Sequence, residues 1–148
     1  MPTAFVAVAG EGRHLNVFGQ SAHEKVTSEQ SDGVSYVFDV STPPGMGVPP
    51  HTHSLEDEII YVVSGELEVF IGGNVTRAGA GSVLHFARGT MHGYRNVGEA
   101  PAVSAWVVTP GASFQTLFRA LADLPPGPPD FGIVDALNHR HGIVMPPP

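Results

Sequence analysis

Short runs in which apolar residues recur at every second position fill most of the chain. In the run at 34–40 the larger apolar side chains Tyr36, Phe38 and Val40 fall on one face, which is typical of a half-buried β-strand. Similar runs predict further strands at residues 5–9, 14–18, 59–63, 66–71, 82–86, 94–97 and 102–109. Gly72-Gly73-Asn74 predicts a hairpin turn into a short strand at 75–77. About eight closely spaced strands favour an all-β sandwich or jelly-roll barrel.

Helical periodicity appears only near the end of the sequence. Apolar residues recur at i, i+3, i+4 and i+7 within 114–121, which predicts an amphipathic helix that ends before Pro125-Pro126. A second, weaker helix is predicted from about 129 to 141, with Gly142 as its C-terminal stop. We expect both helices to lie against the outside of the barrel.

Length and composition narrow the classes of protein. The 148 residues predict a single domain over 1–148, with the barrel at about 4–110 and the helical segment at about 111–142. A formal charge of −7 argues against nucleic acid and anionic membranes as partners. The absence of cysteine excludes disulfides and thiolate metal sites. The apolar run near the N-terminus lacks basic residues and is short for a signal or membrane span, so we expect a cytoplasmic location.

Three histidines and one glutamate form a candidate metal site. Residues i and i+2 of a strand share a face, so His51 and His53 direct two imidazoles to the same side. Glu58 has the opposite parity and can join them only if the chain bends at 54–57. His92 arrives from a later strand, behind a turn.

Neutral imidazoles with one carboxylate suit a divalent first-row metal, namely iron, manganese, nickel, cobalt, copper or zinc. Four protein ligands leave an octahedral ion two positions for water, dioxygen or a chelating substrate. Glu56 and Asp57 are rivals to Glu58 as the carboxylate ligand, and spacing to the next glycine favours Glu58. His85 is either a partner of the site or a structural histidine. The aromatic side chains either line a pocket at the metal or fill the core: Tyr36, Phe38, Tyr61, Phe70, Phe86, Tyr94 and Trp106.

The spacing around these residues resembles the two motifs of the cupin superfamily. The two matching runs are Gly45-x5-His51-x-His53-x4-Glu58-x6-Gly65 and Gly81-x5-Ala87-x-Gly89-x2-His92-x3-Asn96. Ala87 stands where the second motif usually has proline, a change that removes no ligand. The resemblance implies a jelly-roll barrel, usually dimeric, with a metal bound by His51, His53, Glu58 and His92.

The chain also resembles small cupins of the quercetin 2,3-dioxygenase-like group at residues 49–53, 108–111 and 141–147. This resemblance implies a dioxygenase acting on a flavonol-like or other enolisable oxygenated substrate, with Glu58 as ligand and general base. An isomerase, cyclase or lyase acting on an enolisable carbonyl needs the same residues, so the sequence leaves that class open. A non-catalytic barrel that binds a small molecule is the third reading. The expected partners are thus a small-molecule substrate, dioxygen for the first class, and a second copy of the chain in a homodimer.

Overall fold

Two antiparallel sheets form the body of the computed structural model, which describes residues 2–146. Across these residues the strands are β1 (His14–Val17), β2 (Gln20–Val26), β3 (Tyr36–Thr42), β4 (Gly47–His53), β5 (Asp57–Ser64), β6 (Glu66–Ile71), β7 (Asn74–Gly79), β8 (Val83–Phe86), β9 (His92–Arg95), β10 (Ala102–Thr109) and β11 (Ile143–Val144). The helices are α1 (Ala112–Ala122) and α2 (Phe131–Arg140). The predicted all-β fold is confirmed: the chain forms a jelly-roll barrel, also called a double-stranded β-helix, with two C-terminal helices.

The order of the strands separates the residues of the candidate site between the sheets. One sheet runs β1-β2-β3-β10-β5-β8, and the other runs β11-β4-β9-β6-β7. Strict alternation buries one face of β3 and β10. Their inward side chains meet those of β5, β6 and β9 in a core that includes Tyr36, Phe38, Ile60, Val62, Leu67, Val69, Tyr94 and Val108. The core thus lies between the sheets, and one end of it opens into the site described below.

The strand predictions and the structure differ at residues 5–9, at β2 and at β11. Residues 5–9 form no strand and are exposed, because their alternating pattern meets no partner strand. In contrast, the sequence pattern missed β2, whose inward positions include the polar residues Gln20 and Glu24. The amide oxygen of Gln20 and the carboxylate of Glu24 accept hydrogen bonds from other side chains, which offsets part of the cost of burying them.

Both helices form where they were predicted, but the expectation that both lie outside the barrel is wrong. In α1, Phe114 and Leu117 are buried, and the Phe114 ring stacks 5.8 Å from Phe38 of the core. Arg119 of α1 donates two hydrogen bonds of 2.8 Å to the Glu24 carboxylate. The apolar stripe of α1 therefore covers the open end of the barrel. No helix within residues 2–146 is long and apolar enough to cross a membrane.

Candidate metal centre

Neighbouring strands of one sheet bring the three histidines together. His51 and His53 lie on the buried face of β4, and His51 is in register with His92 on β9. One ring nitrogen from each histidine lies within 4.8 Å of those of the other two. His51 Nε2 and His53 Nε2 are 2.9 Å apart.

Glu58 reaches the same point from the other sheet. A bend at 54–56 separates β4 from β5, so Glu58 enters β5 on its buried side. Its Oε1 lies 3.3 Å from His53 Nε2, and its Oε2 lies 3.1 Å from His92 Nε2. All four side chains are buried, with Glu58 only 2% exposed. The structure thus brings together the four residues that the sequence proposed, although their role as ligands stays a prediction.

Hydrogen bonds on the far side of each ring fix which nitrogen carries the hydrogen. Each Nδ1 faces an oxygen: His51 faces Pro49 O at 2.8 Å, His53 faces Glu56 Oε1 at 2.8 Å, and His92 faces Thr90 O at 2.9 Å. A backbone carbonyl or an ionised carboxylate only accepts hydrogen bonds, so each Nδ1 is the donor. In the neutral rings every Nε2 therefore presents a lone pair to the shared centre.

These converging lone pairs fit a bound cation. The unprotonated Nε2 atoms of His51 and His53 face each other at 2.9 Å. Two lone pairs at this distance repel each other unless a positive charge lies between them. His92 Nε2 is buried and makes no hydrogen bond within the described residues, although Glu58 is near. Two nitrogens about 2.1 Å from one metal ion, at about a right angle, are about 3 Å apart. The observed spacing agrees with that value, so the donor set fits a divalent metal ion.

The electrostatics of the cluster also favour a cation. Burial, together with the neighbouring His53, lowers the pKa of His51 to about 4, so its ring stays neutral. Burial alone would raise the pKa of Glu58, but the three neighbouring histidines lower it overall. For His53, burial acts to lower the pKa, and the carboxylates of Glu56 and Glu58 outweigh it and raise the pKa. Glu58 therefore places a buried negative charge among the imidazoles.

The other residues considered at the sequence level lie outside the cluster. Glu56 is 1% exposed and lies behind His53, where one oxygen accepts from Nδ1 and the other has no hydrogen-bond partner among the described residues. Asp57 is on the outer side of β5 and accepts two hydrogen bonds from the Arg88 side chain. His85 lies on the exposed face of β8. The contact of Glu56 with His53 was not foreseen, because it depends on the bend after β4.

A cavity of about 610 Å³ opens from the cluster towards the helices. Its walls are mainly apolar and include Phe38, Phe86, Trp106, Phe114 and Leu117. Four of the seven aromatic residues considered from the sequence line it, namely Phe38, Phe86, Tyr94 and Trp106. Among the described residues that line the cavity there is no lysine or arginine. Helices α1 and α2 supply residues that the sequence placed on the outside of the barrel.

The two antiparallel sheets and the buried cluster of imidazoles and a carboxylate define the class of this protein as a small β-barrel with a candidate metal site. Residues 38–108 match the family model described as Cupin domain. The membership of the cupin superfamily that the spacing of the two motifs predicted is confirmed for these residues.

Curated relatives are similar over much of this chain. A germin-like protein 5-1 of Oryza sativa subsp. japonica is 33% identical over 140 residues, which cover 83% of this chain and 62% of that protein. A quercetin 2,3-dioxygenase of Bacillus subtilis is 28% identical over 120 residues, which cover 80% of this chain and 35% of that protein. The chain therefore spans less than two thirds of the length of these relatives.

Solved structures with the same fold include KdgF from Halomonas sp., with a TM-score of 0.68 and 23% identity over 76% of this chain and 99% of that one. An RmlC-like cupin from Shewanella frigidimarina has a TM-score of 0.63 and 14% identity over 74% of this chain and 94% of that one. At these identities the likeness establishes the fold.

Proposed function

We propose that this protein is a metal-dependent dioxygenase acting on a small, neutral, largely aromatic substrate with an enolisable or hydroxy-ketone group, such as a flavonol. The single observation that carries the proposal is that the buried cluster of His51, His53 and His92 lines a large apolar cavity. The similarity to a bacterial quercetin 2,3-dioxygenase supports the oxidoreductase class.

The charge of the cavity supports a neutral substrate. Anionic substrates are ordinarily bound by arginine or lysine, and the described residues that line this cavity include neither. Glu58 and Asp135, which are acidic, both line it. Aromatic walls such as Phe114 and Trp106 instead offer apolar contact to a planar ring.

His51, His53, Glu58 and His92 would hold the metal in this proposal. When bound, such an ion acts as a Lewis acid and lowers the pKa of a substrate hydroxyl that it coordinates. The hydrogen bonds at Nδ1 keep the three Nε2 atoms aimed at the centre. Glu58, ionised at neutral pH, accepts the hydroxyl proton at a carboxylate oxygen. The apolar walls exclude water from the deprotonated substrate.

The test is oxygen uptake by the metal-loaded protein supplied with a flavonol. We expect one dioxygen to be consumed per flavonol, and no flavonol to be consumed under anaerobic conditions. The variant Glu58→Gln keeps an oxygen donor but loses the proton acceptor, and we expect it to be at least about a hundredfold slower. A matched control is Asp57→Asn, which removes a carboxylate of the same strand that points away from the cavity.

Two other outcomes would each favour a different function for the protein. Turnover of an enolisable carbonyl compound without oxygen uptake would refute the dioxygenase and favour an isomerase or lyase. Tight binding of a ligand without turnover, in protein of full metal content, would favour a non-catalytic binding barrel.

A further inference from the structure

One buried amide in the cavity wall has donor capacity that the protein does not use. Gln20 begins β2, is 5% exposed and lines the same cavity as the metal cluster. No step of the proposed reaction involves it. A buried primary amide in a mainly apolar wall is costly unless each of its hydrogens has an acceptor.

Two hydroxyl groups fix the orientation of this amide. The Tyr94 hydroxyl donates to Gln20 Oε1 at 2.6 Å, and the Thr42 hydroxyl donates to the same oxygen at 2.9 Å. These two donors occupy both lone pairs of the amide oxygen. The NH2 group must then point away from them.

The NH2 group is left with an incomplete set of acceptors. Its two hydrogens have one protein acceptor among the described residues, the Gly47 carbonyl, at 3.4 Å. That distance is beyond the usual 2.7–3.2 Å of N–H···O hydrogen bonds. At least one N–H of Gln20 is therefore free to bind an oxygen of a molecule in the cavity.

The distance between the Gln20 amide and the histidine cluster can be estimated along β4. Gly47, next to the amide nitrogen, precedes His51 by four residues along β4. A register shift between Val48 and His51 sets this segment against only three residue steps of β9, so it spans roughly 10 Å. This length is comparable with the long dimension of a fused bicyclic ring that carries a phenyl group, so one ligand of that shape can reach both ends.

We propose that Gln20 Nε2 is a binding subsite for a hydrogen-bond-accepting oxygen at the end of the substrate remote from its metal-binding group. This subsite rests on the proposed function and adds to it a substrate class. The substrate is neutral and mainly apolar, has two oxygens that bind the metal, and has a further ether, hydroxyl or carbonyl oxygen at the opposite end. Gln20 then acts as a residue that determines specificity, while Tyr94 and Thr42 position its amide.

The test uses two flavonols that differ at one group. One carries a methoxy group on the phenyl ring remote from its hydroxy-ketone, and the other carries an ethyl group in its place. Trp106 is the one tryptophan of the sequence and lines the cavity, so its fluorescence reports binding to the metal-loaded protein. We expect the wild-type protein to bind the methoxy compound about three- to tenfold more tightly, as one hydrogen bond predicts.

Variants of Gln20 separate recognition from folding. Gln20→Met removes the donor and should abolish the preference. Gln20→Met also leaves the Tyr94 and Thr42 hydroxyls without their acceptor, which could disturb the fold. A second variant, Gln20→Glu, keeps that acceptor. At about pH 8 its carboxylate still accepts from both hydroxyls but repels the methoxy oxygen, so the preference should disappear or reverse. Asn138→Leu is the matched control, since it removes a different amide that lines the cavity and leaves Gln20 with both of its hydroxyl partners; it should retain the preference.

The outcomes distinguish the subsite from the proposed function. If the wild-type protein binds both flavonols equally, or a folded Gln20 variant keeps the full preference, the subsite is refuted and the function stands. If neither flavonol binds to metal-loaded protein, the proposed substrate class fails, and the subsite fails with it.

Discussion

We expect Glu56 to affect metal affinity although it lies outside the cluster of His51, His53, Glu58 and His92, and its contacts give the size of the effect of removing it. The His53 Nδ1–H group donates to Glu56 Oε1 at 2.8 Å, and the two side chains are 3% and 1% exposed. The variant Glu56→Ala leaves a buried N–H without an acceptor, which costs about 1–3 kcal/mol. Loss of such a partner behind a metal-bound histidine typically weakens metal binding by about 10–100-fold. We expect the dissociation constant to rise within that range.

A second substitution separates hydrogen bonding from charge. In Glu56→Gln the amide oxygen still accepts from His53, but the negative charge is lost, so we expect a weaker effect of about tenfold. Asp57→Asn serves as control because it removes a neighbouring charge that pairs with Arg88 and not with the imidazoles. Competition with a chromogenic chelator measures the affinity, and visible absorption of the cobalt-loaded protein reports whether ring orientation has changed. If Glu56→Ala binds metal as tightly as the wild type, this role of Glu56 is refuted.

Three further predictions concern the ligands, the strand that carries them, and acid stability. His92→Ala should reduce bound metal well below one ion per chain by elemental analysis, whereas His85→Ala, on an exposed strand face, should not; full retention in the first would contradict the ligand set. In Gly93→Ala the new Cβ would lie 2.7 Å from a backbone oxygen of β4, forcing the two histidine strands apart, so metal affinity should fall while a Gly73→Ala control is unaffected. Burial acts to raise the pKa of Glu24, but its hydrogen bonds and ion pair lower it overall. Ionised Glu24 therefore stabilises the fold above its unfolded-state pKa of about 4.3, and this stabilisation is lost as the pH falls through the lower pKa of the folded state. In Glu24→Gln the free energy of unfolding, measured with urea, should depend less steeply on pH in this acid range. An unchanged dependence would contradict this linkage.

The sequence predicted those parts of the fold in which local pattern and burial agree. In β3 and β10 the inward residues are apolar, so a period of two identifies the strands. In β2 the inward side chains Gln20 and Glu24 are polar, and their partners lie 22 and 95 residues away in the sequence. No local pattern reveals such partners, which explains why β2 was missed.

The sequence identified the four residues of the candidate site but not the residues that surround them. The glycine spacing of the two motifs was enough to select His51, His53, Glu58 and His92, although strand parity alone argued against Glu58. The bend that reverses the parity of Glu58 also places Glu56 behind His53, and only three-dimensional structure shows that second effect. The placement of α1 over the barrel opening also depends on long-range packing, because an amphipathic stripe does not indicate which apolar surface it covers. The cytoplasmic location and the homodimer stay predictions.

Strand β11, only two residues long, has a consequence for how the site assembles during synthesis. Ile143 pairs with His53, and Ser54 donates from its backbone and its hydroxyl to the Gly142 carbonyl. The edge of β4 that carries two of the histidines is therefore covered by residues about 90 positions later in the chain. During translation this edge stays open until almost the whole described chain has emerged from the ribosome. Contacts of such long range form late in folding, so we expect the four side chains of the cluster to reach their final geometry after the rest of the barrel.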